Sequence, residues 1–488
     1  DAGTGNPPAV VVGCDARHRS DEFADEAARV LAGAGIAVHL LPRPGPTPLL
    51  AFAVRHLAAQ AGIMITASHN PATDNGYKLY QSDGAQIIPP VDDRIEDRIT
   101  LLGPLSAIPT AGLDSPLITR HGDEIAEAYL DTIVPSGDGE SQAQGPQADA
   151  MALRVVYTPM HGVAGDLTLR AMRRAGFPVP HVVAAQAKPD PDFPTVAFPN
   201  PEEPGALDLA LADARAVGAD LVVASDPDGD RLAIAVPARE VDGSSGEWRQ
   251  LSGDQLGALL GAYLLRAETG SPDSRTPLVA STIVSSTLLS KIAAAAGARY
   301  TEKLTGFKWV ARAADNQPET RYVFGYEEAL GYLVGQGVRD KDGTGAAIAA
   351  LRMTTAARAA DRDLNEEYDA LEQAHGVHLT KQLSLRVPDP DAVMRRIRNA
   401  PPREVGGFTV NAVTDYADGS TGLPPSDVLR YSLDAARLVI RPSGTEPKIK
   451  AYLEVIEPVE QDLATAREKA AVRMAPLRAA VETLLAPH

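Results

Sequence analysis

The sequence predicts an α/β protein: three α/β mixed-sheet domains around a central cleft, followed by a C-terminal α+β domain. Three observations carry this. Strand-like and helix-like segments alternate through the first three quarters of the chain, the pattern of βαβ units and mostly parallel sheets. The stretch Val134–Ala150 is rich in Gly, Ser, Gln and Pro without an apolar period, and reads as a linker or long surface loop. From Leu379–Val387 onward, short β-rich runs replace the alternation.

The elements follow in order. Ala9–Asp15 reads as a buried strand, Asp21–Gly35 as a helix and Ile36–Leu41 as a strand. Leu49–Gly62 is helical in spacing and Ile63–Ala67 strand-like. After the linker, Arg154–Tyr157 is a strand, Gly165–Gly176 a helix and Val182–Ala184 a strand. Leu207–Gly218 is then a helix and Asp220–Ala224 a strand. In the third unit Ser252–Ala267 is helical, Pro277–Ile283 a strand and Thr287–Gly297 a helix, and Tyr322–Phe324 leads into Gly325–Tyr332. The last unit offers β runs at Phe408–Thr414, Val428–Ser432, Arg437–Ile440 and Ile449–Val455. It ends in a helical stretch, about Val459–Leu485, that Pro476 should kink or split. The expected domains are 1–148, 149–252, 253–376 and 377–488.

Composition narrows the function. The 488 residues are 44% hydrophobic and 23% charged, enough to bury several cores. A net charge of −18 argues against nucleic acid or an anionic membrane as partner. An anionic substrate must therefore be captured by local Arg and Lys. The single cysteine, Cys14, excludes an internal disulfide framework and points to a reducing, cytoplasmic setting. No apolar run approaches the roughly 18 residues of a membrane span. The start, Asp1–Pro8, lacks an initiator Met, so the chain is expected not to begin where its gene does.

Each α/β unit ends a strand in one polar loop, where ligands of open α/β sheets bind. The first is Thr66-Ala67-Ser68-His69-Asn70-Pro71. A lone serine there is ordinarily a turn residue, but Asn70-Pro71 favours a turn that exposes the hydroxyl. Lys78, ten residues on, could reach a phosphate or shuttle a proton, although a lysine there is ordinarily solvated. The second loop is Asp226-Pro227-Asp228-Gly229-Asp230-Arg231. Three carboxylates at alternate positions raise one another's pKa unless a cation intervenes, and Mg²⁺ prefers such oxygen donors. An EF-hand fails, because Arg231 and Pro237 stand where it needs Gly and Glu. Arg231 would hold transferring phosphoryl oxygens. The third loop carries Glu327-Glu328, carboxylates that can accept from vicinal sugar hydroxyls, though such a pair taken alone is ordinarily a solvated helix start. Near the C-terminus, Arg441, Ser443, Gly444, Thr445 and Lys448 read either as an anion nest or as a β-turn with charged flanks. Walker, dinucleotide-binding, H-E-x-x-H and G-x-S-x-G patterns are absent.

In this order the motifs resemble the α-D-phosphohexomutase family of phosphoglucomutases and phosphomannomutases, over nearly the whole chain. The resemblance implies Ser68 as phosphoryl carrier, assisted by His69 and itself a metal ligand with Asp226, Asp228 and Asp230. It implies Mg²⁺ as cofactor and a sugar 1,6-bisphosphate as activator. It places Lys78, Lys341 and Arg231 in catalysis. Glu327, Glu328, Gly306, Lys308, Arg441, Ser443, Gly444, Thr445 and Lys448 would bind the substrate, a sugar monophosphate, in a monomer or homodimer. Two departures stand out. The sugar loop reads Glu327-Glu328-Ala329 where the family usually carries Glu-x-Ser, which resembles the branch with phosphopentomutase-type and sugar-bisphosphate-forming members. A Gly-rich segment of Gly-Thr-Ala-Gly-Leu-Arg-Gly type, with its arginine, would precede Asp15-Ala16-Arg17 and is not in the sequence.

The expected reaction interconverts sugar 1-phosphate and 6-phosphate, of glucose or mannose, through phosphoserine and a bisphosphate. Lys78, helped by Arg231, is expected to assist removal of the hydroxyl proton, and the last domain to close on the cleft. The alternatives are a phosphopentomutase or a sugar-bisphosphate synthase, then a metal-dependent phosphatase, then a non-catalytic sugar-phosphate binder.

Overall fold

The computed structural model describes residues 7–42, 44–135, 153–238, 248–444 and 447–486. The expected linker falls almost wholly outside these, and so does Thr445. Four sheets succeed one another. The first holds β1 (Ala9–Cys14), β2 (Ala37–Leu40), β3 (Ala61–Ile65), β4 (Tyr77–Gln81) and β5 (Ile118–Arg120), in the order β4-β3-β1-β2-β5. The second holds β6 (Val155–Thr158), β7 (His181–Val182), β8 (Leu221–Ser225), β9 (Leu232–Pro237) and β10 (Trp248–Gln250), ordered β10-β9-β8-β6-β7. The third is β12-β11-β13-β14, from β11 (Thr276–Thr282), β12 (Arg299–Lys303), β13 (Thr320–Glu327) and β14 (Gly331–Val334).

These three sheets share one device. Each has a parallel core and then one strand that turns back antiparallel: β3 to β4, β8 to β9 and β13 to β14. The polar loops occupy those three turns. Valine- and alanine-rich strands buried on both faces, such as Leu221–Ser225, explain the parallel cores. The fourth sheet is antiparallel throughout: β15 (Val377–Arg386), β16 (Glu404–Val405), β17 (Phe408–Asp415), β18 (Leu429–Leu433), β19 (Ala436–Pro442) and β20 (Lys448–Glu457), ordered β15-β20-β19-β18-β17-β16.

Several expectations need correction. Ala184 belongs to a 3₁₀ turn, Ala184–Gln186, rather than to a strand. The helix after β2 spans Thr47–His56, and β3 starts at Ala61, so Ser68 lies three residues beyond its strand. Gly325–Glu327 continue β13, which leaves Glu328–Leu330 as the turn. Pro476 does not split the last helix, which runs from Leu463 to Leu485.

Helix Gly343–Ala359 is missing from the sequence reading and is central. Most of its residues are buried, among them Ala346, Ala347, Ile348 and Leu351. A helix apolar on all sides is an interior helix. Asp342 caps it by accepting from Gly345 N–H. Thr344 is hydrogen-bonded to Thr168 at 2.9 Å, tying it to the second domain. One apolar core runs through the first three domains, the fourth has its own, and a small cluster (Ile283, Val284, Leu304, Tyr416, Val439 and Tyr452) joins third to fourth.

Candidate active site

Ser68 follows β3 in the left-handed region, φ 52°. Its amide donates to Thr66 Oγ1 at 2.9 Å, and its Oγ lies 3.2 Å from His69 Nδ1. The hydroxyl donates to Asp226 Oδ2 of the next domain at 3.5 Å. The first two loops therefore meet although 158 residues separate these side chains.

Asp226, Asp228 and Asp230 are buried, with carboxylate oxygens within 4.8 Å of one another. Thr47, at the start of its helix, fixes the loop: its N–H donates to the Asp228 carbonyl and its Oγ1 to Asp228 Oδ2 at 2.6 Å. Gly229, at φ 71°, makes the turn. Burial, and then the charges of Asp228 and Asp230, push the Asp226 carboxyl well up. Burial acts on Asp228 in the same sense and is the largest single influence, but the Lys78 ammonium and the hydrogen bonds from Lys78, Thr47 and Asp226 together outweigh it and the carboxyl is lowered. Asp228 Oδ1 and Asp230 Oδ1 are buried without a hydrogen-bond partner. Uncompensated buried carboxylate oxygens are costly, and three converging oxygen donors match a hard divalent cation such as Mg²⁺.

Lys78 comes from β4. Its Nζ lies 2.5 Å from Asp228 Oδ2 and 2.7 Å from Asp230 Oδ2. Lys341 Nζ lies 3.2 Å from Asp230 and 3.5 Å from Asp340. Burial disfavours both ammoniums, yet the surrounding aspartates hold their pKa values above normal. The lysine expected to remove a proton thus stands as a cation already donating to two carboxylates. His69 is the opposite case. Burial, then Arg231, drive its imidazole down to about 2, so it is neutral. Its ring packs edge-on to Phe198.

The third loop joins directly. Arg231 and Gly331 form an antiparallel bridge, and Leu232 N–H donates to Leu330 O at 3.1 Å. A Cβ on Gly343 would lie 2.5 Å from the Arg231 carbonyl, so the third domain presses its backbone onto the metal loop. Arg231 reaches Glu202 at 3.7 Å and is also exposed to the charge of Glu327. The two glutamates of the third loop differ. Glu328 Oε2 accepts from Ser285 at 3.1 Å and Thr282 at 3.2 Å, and burial, then Glu327, raise its carboxyl to about 7. Among the described residues no corresponding pair of hydroxyls holds Glu327, whose charge acts on Arg231 and Lys341.

The anion nest lies at the β19–β20 turn. In register opposite Arg441 stands Lys450, a residue the sequence reading missed. Its ammonium is disfavoured by burial, then by Arg441 and Lys448, and favoured by Glu328 and Glu202. Lys450 thus links the fourth domain's cations to the third loop and to Glu202, also missed. Ser443 N–H donates to Lys448 O at 2.8 Å, closing the turn beside exposed Gly444. Gly306, at φ 103°, starts the turn Phe307–Val310, and Lys341 Nζ sits 5.5 Å from the Phe307 ring. Lys308 Nζ instead lies over Trp309, 5.7 Å from the ring centre. A charged residue every second position on a strand was the available signal for Lys450; Glu202, in Pro201-Glu202-Glu203-Pro204, offered none.

The chain matches the phosphoglucomutase/phosphomannomutase alpha/beta/alpha domains I, II and III over residues 2–102, 127–239 and 252–374, and the family's C-terminal domain over 384–470. It is 40% identical over 457 residues to a Haemophilus influenzae protein named "Probable phosphomannomutase", covering 92% of this chain and 88% of that one. It is 34% identical to the Homo sapiens phosphopentomutase (92% and 78%) and 34% identical to a Staphylococcus aureus phosphoglucomutase (94% and 84%). A solved phosphoglucomutase/phosphomannomutase family protein from Burkholderia thailandensis shares the fold, with TM-score 0.69 and 21% identity over 97% of this chain and 90% of that one. The chain belongs to the phosphoglucomutase/phosphomannomutase family and is, like its relatives, an intramolecular phosphotransferase acting on phosphosugars.

Proposed function

We propose that this member of the phosphoglucomutase/phosphomannomutase family interconverts the 1-phosphate and 6-phosphate of glucose or mannose in the cytoplasm, with Ser68 as phosphoryl carrier and a sugar 1,6-bisphosphate as activator and intermediate. The observation that carries it is the contact of Ser68 Oγ with Asp226 at the buried carboxylate triplet.

Asp226, Asp228, Asp230 and phosphorylated Ser68 would hold Mg²⁺, which when bound supplies positive charge to phosphoryl oxygens. Arg231 stands beside that loop and would grip the same oxygens. Lys78 and Lys341 are assigned to charge stabilisation rather than proton removal, because both are already paired to aspartates. Phosphoryl transfer asks mostly for positioning and charge, with little covalent work for the protein. The bond from phosphorus to Ser68 Oγ breaks as one to the sugar hydroxyl forms; late in the step that hydroxyl gives up its proton and the departing Ser68 Oγ takes one up, so the serine hydroxyl is restored. Glu327 accepts from the sugar, while Arg441, Ser443, Gly444, Thr445, Lys448 and Lys450 hold the phosphate already present. Gly306 and Lys308 would bind substrate from the turn whose Phe307 ring meets Lys341. The bisphosphate then turns over and returns its other phosphoryl group to Ser68.

A pentose substrate is the second reading. Ala329 brings no hydroxyl to the loop, and Glu328 is committed to Thr282 and Ser285, so one carboxylate serves the sugar. A sugar-bisphosphate synthase would use the same first transfer.

The intact mass after incubation with glucose 1,6-bisphosphate, with Ser68→Ala as control, tests the carrier. An adduct of one phosphoryl group that maps to Ser68 is expected; no adduct overturns the reading. Rates on glucose, mannose and ribose 1-phosphates then assign the sugar, and steady release of inorganic phosphate would mark a phosphatase instead.

A further inference from the structure

Arg17 lies outside the motifs that carry the chemistry, yet among the described residues it bonds more of the Ser68 loop than any other side chain. It is buried, 4% exposed. Its Nη2 donates to the carbonyls of Ser68 at 2.6 Å and Asn70 at 2.7 Å. Its Nη1 donates to Pro71 at 2.6 Å and Asp74 at 3.3 Å. Nε lies 3.3 Å from Asp15 Oδ2. A guanidinium has five N–H bonds in a fixed fork. Four converge on the carbonyls of one loop, and Nε makes an ion pair, without a hydrogen bond, with the buried Asp15 carboxylate. Asp15 is fixed in turn by Ser20 Oγ at 2.7 Å and by the Arg17 amide at 3.0 Å.

The loop needs such a hub. Ser68 sits at φ 52°, in the left-handed region that strains a non-glycine residue. Four carbonyl dipoles aimed at one point repel unless a cation stands there. The guanidinium also packs on the Phe193 ring of the second domain, 5.1 Å from its centre. The contact joins the loop to the domain that carries the aspartates.

We propose that Arg17 is the positioning residue of the phosphoryl-carrying serine. It fixes the backbone from Ser68 to Asp74 so that Oγ points at Asp226, and it docks that loop on the second domain through Phe193. Its catalytic consequence rests on the mutase reading; its hold on the loop does not. Lysine cannot replace it, because an ammonium offers three donors at one point.

The test compares wild type with Arg17→Lys and Arg17→Ala. Three quantities are read: mutase kinetics on glucose 1-phosphate, the single-turnover rate of Ser68 phosphorylation by glucose 1,6-bisphosphate, and amide hydrogen exchange. A misplacement of about 1 Å costs roughly 10²-fold in rate. A fall in kcat and phosphorylation rate of about that size is expected for Arg17→Lys, with KM within about threefold because the phosphate clamp is untouched. Exchange should quicken over residues 67–76 and stay slow over 226–231. Free guanidinium ion should restore part of the Arg17→Ala rate. Wild-type kcat, or unchanged exchange over 67–76, in a folded Arg17 variant overturns the proposal. If both Arg17 variants fail to fold, Phe193→Leu, which removes the platform and leaves the hydrogen bonds, decides the docking part: slower phosphorylation of Ser68 is expected, and a wild-type rate overturns it. A wild type that takes no phosphoryl group on Ser68 would end the mutase reading, while the exchange comparison still decides what Arg17 holds.

Discussion

Glu454 fastens the fourth domain to the third, and its removal has a magnitude that two routes give independently. The side chain leaves β20 and enters the start of helix Leu288–Ala295. It accepts from Ser286 Oγ and Thr287 N–H at 2.8 Å each and from Thr287 Oγ1 at 3.1 Å. Arg437 Nη2 and His378 Nδ1 each lie 3.1 Å away. Arg437 itself donates to the carbonyls of Ile283 and Ser285 across the same boundary. Burial alone would raise the Glu454 carboxyl; Arg437 and the hydrogen bonds outweigh it and bring it from 4.5 to about 2. At about 1.4 kcal/mol per pH unit, that difference is worth about 3 kcal/mol. Breaking a buried ion pair by deleting one partner costs about 3–5 kcal/mol.

The sign follows from linkage. A carboxyl lowered in the folded state stabilises fully above pH 4.5, and the contribution is lost as pH falls toward 2. Glu454→Gln should therefore destabilise the third–fourth boundary by about 3 kcal/mol at pH 7, and by much less at pH 3. The assay is urea unfolding followed by Trp309 fluorescence in a Trp248→Phe background. Trp309 packs against the apolar cluster that joins the two domains, and these are the chain's two tryptophans. A penalty under about 1 kcal/mol at pH 7, or one that is the same at pH 3, would refute the reasoning.

Three further outcomes follow from the geometry. Lys450→Met should raise KM for glucose 1-phosphate at least tenfold and leave kcat nearly intact, since a charge-assisted hydrogen bond is worth about 1.5–3 kcal/mol; steady-state kinetics check it, and an unchanged KM removes Lys450 from the clamp. Glu328 has its pKa raised to about 7, so the wild type should lose stability relative to Glu328→Gln as pH rises from 4.5 to 7, by about 3 kcal/mol at most, and the gap should be constant above pH 7 in urea titrations. Gly343→Ala would place its Cβ 2.5 Å from the Arg231 carbonyl and 2.8 Å from that of Gly229, so the metal loop must move; kcat is expected to fall about 10²-fold with the circular dichroism spectrum kept.

The sequence disclosed the chemistry more fully than the placement. Asp226, Asp228 and Asp230 were legible because three carboxylates at alternate positions have few structural reasons to exist. The strands were legible because Val and Ala runs such as Leu221–Ser225 are buried on both faces. Helix Gly343–Ala359 escaped because small residues buried on every side leave no amphipathic period. Strand β4 escaped because Tyr77–Gln81 alternates over only five residues, and with it went the fact that Lys78 is aimed by a sheet. The last helix ran on through Pro476 against expectation. Its inner side, Ala470, Met474, Leu477 and Val481, is buried in the fourth core, and packing there overrides one missing hydrogen bond.

What no local pattern could reveal is why the loops meet. Three sheets each place one loop where a parallel strand hands over to an antiparallel neighbour, at Ser68, at Asp226–Arg231 and at Glu328–Leu330. Motif spacing along the chain carries none of this, because convergence depends on how three sheets pack. The same geometry separates Glu327 from Glu328, which are adjacent and chemically alike. Successive side chains at a strand end point to opposite faces, so one turns to Thr282 and Ser285 while the other stays beside Arg231 and Lys341. A pair that looks like one sugar clamp in the sequence is therefore one ligand-facing carboxylate and one buried brace. For the same reason, Glu327→Gln should cost substrate binding, whereas Glu328→Gln should act first through stability.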